Sequence, residues 1–254
     1  MWRGASVWFF AYVVVAALVV PGLAGRRRGL AIAGAAAALA VLAAGPLPSI
    51  LEDWLLPPAL LLAGYWTSGL LFAAPMARVE RLLVALDRRL GVTRIAAAAP
   101  PWLADLLEVA YAGVYAAIPI ALVIYLRWTP GARAADFWSV ILITDYVCFA
   151  FLPWVRTRPP RALDDSHPWV SRCRPFNLRL LGTASIQVNT FPSGHAAEGL
   201  AAALFVSAAP WPVPVSMGLA AAAISAGAVL GRYHYAADAL AGWVVAAVVW
   251  WLLV

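Results

Sequence analysis

Apolar runs close to the length of a bilayer crossing recur along this chain, and no other feature limits its fold so strongly. A membrane-crossing helix needs about 20 mostly apolar residues. By that measure helices are expected near 5–24, 29–47, 55–75, 103–126, 136–155, 193–209, 212–231 and 235–254. The composition, 64% hydrophobic and 12% charged, excludes a soluble domain of this size, whose surface must be largely polar. The expected fold is all-α, a polytopic integral membrane bundle of about eight transmembrane helices. Residues 5–25 imitate a signal peptide, but Arg26, Arg27, Arg28 and a second apolar run follow, so they read as a retained span. That second run is mostly Ala and Gly, which favours close helix packing. Pro210, Pro212 and Pro214 hinge the 193–209 and 212–231 spans.

Two polar regions interrupt the pattern. Residues 76–92 carry Val79, Leu82, Leu83 and Leu86 with Arg78, Arg81, Arg88 and Arg89 between them, an amphipathic helix for the membrane interface. The loop 156–191 holds Arg156, Arg158, Arg161, Arg172, Arg174 and Arg179 and ends in Phe-Pro-Ser-Gly-His. All 18 basic residues are arginines, so no lysine is available for catalysis. Cys148 and Cys173 suggest no disulfide framework.

Histidine placement carries the chemistry. His195 falls in the first turn of one span, after Pro192 and Ser193, both suited to a helix start. His234 begins the last span, with Asp238 four residues on and so on the same helical face. A carboxylate there orients the ring and raises its basicity. The two spans between these histidines return both to one membrane face. Guanidinium groups such as Arg158 and Arg161 suit phosphate oxygens, and the N–H groups at Ser193 and Gly194 open a helix N-terminus that favours an anion. One histidine then serves as nucleophile and the other as proton donor.

Pro-Ser-Gly-His at 192–195, His234 and Asp238, and the Arg158-Pro159 dipeptide together resemble the type 2 phosphatidic acid phosphatase superfamily. LEDWLLPPALLLAGYW at 51–66, VALDRRLG at 84–91, RTRPPR at 156–161 and GRYHYAADALAG at 231–242 resemble its inositol phosphorylceramide synthase and sphingomyelin synthase branch. The resemblance covers roughly 136–254, reaches back more loosely to about residue 50, and implies a core of about six helices. It implies His234 as the phosphorylated nucleophile, Asp238 as its support and His195 as acid for the leaving group. Ser193, Gly194 and Arg158 would then bind phosphate, with Arg161, Arg232 and Glu198 as further substrate contacts. Two positions depart from the phosphatase pattern: Phe151 stands where a lysine is usual, and Gly227-Ala228 where Ser-Arg is usual, Arg232 being the candidate substitute. These departures shift weight towards the transferase-like branch.

Residues 1–50 are expected to form two N-terminal transmembrane helices, and 51–254 the catalytic core with interfacial helix 76–92 and active-site loop 156–191. His167, beside Asp164 and Asp165, reads as solvated, and Tyr111 and Tyr115 mainly as packing. Arg172, Arg174 and Arg179 suit lipid headgroups or substrate equally. Glu198 and Asp145 each divide between helix contacts and a role at the site, and Trp243, Trp250 and Trp251 read as span and interface anchors.

The leading function is transfer of a phospho-headgroup from a phospholipid to an alcohol acceptor. A lipid phosphatase acting on a phosphatidic acid-like or polyprenyl phosphate substrate is the alternative, and an anion or lipid transporter a second. A vanadate-dependent peroxidase is disfavoured by the spans. No metal and no cofactor are expected, because no ligand spacing is convincing. The expected partners are phospholipid, an alcohol or water acceptor and membrane lipids, not nucleic acid. The positive-inside rule places the arginine-rich face in the cytoplasm, whereas the resemblance implies an outward or lumenal site. The expected location is the plasma membrane, with the site leaning extracytoplasmic.

Overall fold

The computed structural model describes residues 1–163 and 169–254, so Asp164, Asp165 and His167 lie outside the described residues. Among the described residues the chain is helical, with one isolated bridge between Thr157 and Asn189. The helices are α1 Trp2–Val19, α2 Gly25–Ala43, α3 Leu56–Leu70, α4 Ala77–Arg89, α5 Val92–Ala98 and α6 Pro101–Trp128. They continue as α7 Ala134–Ala150, α8 Arg174–Ala184, α9 Gly194–Phe205, α10 Pro212–Leu230 and α11 Ala236–Leu253.

Every expected span contains a helix. Among the described residues, α1, α6, α10 and α11 are the 4 helices long and apolar enough to cross a membrane, consistent with an integral membrane protein. Helix α9 has only 12 residues, about 18 Å of rise, well short of a bilayer core. It ends in a turn before Pro210, which cannot continue a helix. The bundle's outer surface is apolar: Trp8, Leu219, Val244 and Trp251 are all exposed, as lipid-facing positions would be.

Helix α9 is central, packed by α6, α7, α10 and α11. Its buried Ala196, Ala197, Gly199, Ala201 and Ala202 let four neighbours approach closely. Helix α1 joins the same core through Phe9, stacked on Tyr146 of α7 at 4.2 Å, and through Ser6, whose hydroxyl lies 3.0 Å from that of Tyr146.

The interfacial helix appears as α4, with an unexpected inner face. Glu80 and Leu83 are buried and Asp87 is half-buried, whereas Leu82 and Leu86 point outward. The inward acids hold the site's loops: Glu80 takes three hydrogen bonds from Arg158, and Asp87 accepts the Ala236 N–H at 3.0 Å. Helix α8 lies inside the stretch expected to be loop, held where the Asn177 amide donates to the Glu108 carboxylate at 2.6 Å.

Candidate active site

The segment 231–235 links α10 to α11 and carries His234. Its start is set by the C-terminal end of α10, where the N–H groups of Tyr233 and His234 both donate to the Ala228 carbonyl at 2.9 Å. Arg232 takes a left-handed conformation, φ 61°, to make that reversal. Asp238 caps the next helix, accepting the Tyr235 N–H at 2.9 Å. The same carboxylate oxygen lies 3.4 Å from His234 Nδ1, close but not aligned as a hydrogen bond. The i,i+4 pairing is therefore present, and Asp238 also organises the turn that holds the histidine.

His195 arrives from α9. The buried Ser193 hydroxyl caps that helix through the Ala196 N–H at 3.4 Å, and the Ser193 N–H donates to the Asp238 carbonyl at 2.9 Å. Helix α11 presses so close that a Cβ on Gly242 would sit 2.4 Å from the Ser193 carbonyl oxygen. The two histidine segments are thus bolted together, with the imidazole centroids 6.2 Å apart.

Both rings face one cavity of about 220 Å³, lined by Tyr115, Arg161, Gly194, Glu198 and Asp145 among others. Arg161 is the one arginine among the described residues lining it. Its N–H donates to the Arg232 carbonyl at 3.1 Å, and its guanidinium lies 5.2 Å from the Tyr233 ring centroid, a cation–π contact. Burial lowers its pKa, from a value so high that the group stays charged.

The expected phosphate contacts divide. Gly194 and Arg161 line the cavity with His195, His234 and Glu198, whereas Arg158, Ser193 and Arg232 are not among its described lining. Arg158 pairs with Glu80 at 3.0 and 2.8 Å, which raises its pKa and holds the Glu80 carboxyl below its ordinary range. Ser193 is engaged in capping, and Arg232 donates to the Pro160 carbonyl at 3.1 Å. Arg174 pairs with Glu108 at 3.1 Å and donates to the Gly231 carbonyl at 2.9 Å. Glu108 also accepts from Trp169 at 2.8 Å and from Tyr233 at 2.5 Å, tying the loop to the turn before His234.

One departure from the phosphatase pattern, Gly227, has a local reason. A Cβ on Gly227 would lie 2.3 Å from the Leu107 carbonyl oxygen, so serine does not fit there. Ala228 is fully buried and Phe151 is exposed at the end of α7.

Two groups that the sequence did not single out as site residues also line the cavity. Tyr115, read as packing, places its hydroxyl 3.2 Å from His195 Nε2. Asp145 lines the cavity together with Glu198, and no N–H or hydroxyl donates to either buried Asp145 oxygen. The signal available was their helical register: Tyr115 repeats Tyr111 after four residues, and Asp145 is an acid inside an apolar run.

A family model described as the PAP2 superfamily matches residues 81–252, more than half the chain. The chain belongs to the PAP2 superfamily. Membership supports an enzyme of phosphatase or phosphotransferase type, and the matched span includes both histidines, Asp238, Arg161 and the acid pair. The 81–252 match begins within α4, just after Glu80, which holds Arg158, and before Asp87, which holds Ala236. Comparison with curated proteins and with solved structures gives no match.

Proposed function

We propose that the chain is a metal-independent lipid phosphotransferase resembling inositol phosphorylceramide synthase, moving a phospho-headgroup from a phospholipid to an alcohol. His234 attacks phosphorus, the lipid alcohol leaves with a proton from His195, and an acceptor hydroxyl then displaces phosphate from His234 while His195 takes its proton. Asp238 steadies the nucleophile. Arg161 and the open N-terminus of α9 at Gly194 stabilise the phosphoryl oxygens.

One observation carries the choice of transfer over hydrolysis: the charge inside the cavity. Among its described lining, Arg161 is the only arginine, and Asp145 and Glu198 supply two carboxyl groups. A phosphate monoester brings nearly two negative charges into that site, whereas a diester brings one and needs fewer cations. The carboxyl pair also offers acceptors for the hydroxyl groups of an alcohol. A lipid phosphate phosphatase is the second reading, supported by family membership. The proposed setting is the plasma membrane, with about eight spans and the site facing outward.

The test offers purified protein phosphatidic acid and phosphatidylinositol, each with and without an alcohol acceptor, in chelator. Headgroup transfer from phosphatidylinositol exceeding phosphate release from phosphatidic acid is expected. Fast phosphate release without transfer would establish a phosphatase, and activity restored only by a divalent ion would refute metal independence.

A further inference from the structure

His195 is assigned the proton transfers, yet its Nε2 already has a neighbour, the Tyr115 hydroxyl at 3.2 Å. Tyr111 and Tyr115 rise from α6 four residues apart and so share a face. Tyr111 stacks flat on the imidazole, with centroids 5.0 Å apart and planes at 12°. Tyr115 meets the same ring edge-on, at 5.5 Å and 80°. Between them they fix the ring and aim Nε2 at a phenol oxygen. Both tyrosines line the cavity but differ in setting: Tyr111 is 5% exposed and sandwiched between His195 and Tyr233, whereas Tyr115 is 50% exposed.

A proton on Nε2 therefore points at Tyr115. A leaving oxygen reaches it by displacing the phenol or by using it. A phenol accepts one hydrogen bond while donating its own hydrogen. We propose that Tyr115 is a catalytic residue that relays the proton between His195 and the reacting alcohol oxygen.

As the bond from phosphorus to the lipid oxygen breaks, the Tyr115 hydrogen passes to that oxygen and the Nε2 proton replaces it on the phenol. The alcohol leaves neutral, His195 is left neutral, and Tyr115 is unchanged. In the second half the acceptor oxygen bonds to phosphorus as the His234 N–P bond breaks. Its proton goes to the Tyr115 oxygen, and the Tyr115 hydrogen goes to Nε2. This relay rests on His195 as the acid and base of the proposed function.

Two probes separate relay from packing. Phosphatidylinositol releases an alcohol whose oxygen needs a proton, whereas dodecyl p-nitrophenyl phosphate releases a nitrophenolate that does not. In single-turnover assays in detergent, Tyr115→Phe is expected to slow cleavage of phosphatidylinositol by roughly ten- to a hundredfold. Its half-saturation and its rate on the nitrophenyl probe should stay within about threefold of wild type. A second variant, 3,5-difluorotyrosine at position 115, keeps the ring and its hydroxyl while changing the phenol's acidity, and should alter only the phosphatidylinositol rate. Equal losses on both probes would make Tyr115 a packing residue and overturn the relay, as would a wild-type rate on phosphatidylinositol. His195→Ala, run alongside, keeps the claims apart: if it is inactive on phosphatidylinositol while Tyr115→Phe is fully active, only the relay fails. If His195→Ala itself cleaves phosphatidylinositol normally, or wild type cleaves neither probe, the proposed function fails with it.

Discussion

His195 and His234 reach one cavity by different means. His195 sits in the first turn of a short central helix, and its ring is fixed by aromatic neighbours, Tyr111 and Tyr115. His234 sits in a turn between helices, and its position is fixed by the backbone: the Ala228 carbonyl, the Asp238 cap and the Asp87 bond to Ala236. A ring held by stacking keeps a polar partner at Nε2 and suits proton transfer. A ring in a pinned turn, with a carboxylate near Nδ1, suits bond formation at its other nitrogen. The fold thus gives the proposed nucleophile and the proposed acid different surroundings.

The largest test of that division is to remove each ring in turn. His234→Ala takes away the nucleophile and should cut turnover roughly 10⁴-fold or more on every donor. His195→Ala should cost about 10²- to 10⁴-fold on an alkyl leaving group, with far less loss on the nitrophenyl probe. Asp238→Asn, which retains the nucleophile, should be milder than His234→Ala. Equal sensitivity of both histidine variants to the leaving group would erase the distinction.

The arginines offer a second, smaller contrast. Arg161 faces the cavity and Arg158 faces Glu80. Arg161→Ala should lower the rate about 10²-fold. Arg158→Ala should instead lower the melting temperature, because buried Glu80 loses its partner, at a cost of about 1–3 kcal/mol. A large rate loss in Arg158→Ala with unchanged stability would return Arg158 to the substrate.

These pairs also mark what the sequence could and could not disclose. The helices were legible because a bilayer demands long apolar runs. His234 and Asp238 do lie close, but His234 precedes α11, and the Asp238 cap of the turn, not helical spacing, brings them together. Arg158 and Arg161 stand three residues apart in one arginine-rich loop, and nothing local says which turns inward. That choice depends on Glu80, 78 positions away, which captures Arg158. The inner face of α4 was hidden for the same reason, since the pattern of Leu82 and Leu86 suggested an apolar stripe while its acids are the residues that bind the protein. Helix α8 is short and arginine-bearing, so its periodicity was too weak to stand out from the loop.

The smallest expected effect concerns the turn that pins His234. Burial pushes the Asp87 carboxyl up to about 6 from its ordinary value of 3.8. Between those values the folded protein binds a proton that the unfolded chain has lost, so this group's contribution to stability falls as pH rises through that window. Asp87→Asn should flatten that part of the curve, read as melting temperature in detergent between pH 4 and 6. An unchanged slope would mean that Asp87 is as well solvated in the fold as in the unfolded chain.

The central claim is a covalent phosphate on His234 delivered under the acid catalysis of His195. It is tested most directly by rapid quench of the wild-type protein with dodecyl p-nitrophenyl phosphate, followed by mapping of the labelled residue. The account predicts an acid-labile, base-stable phosphoryl adduct on His234, formed at the rate of nitrophenolate release and still formed in His195→Ala. A burst of nitrophenolate with no adduct, or an adduct on His195, would contradict it.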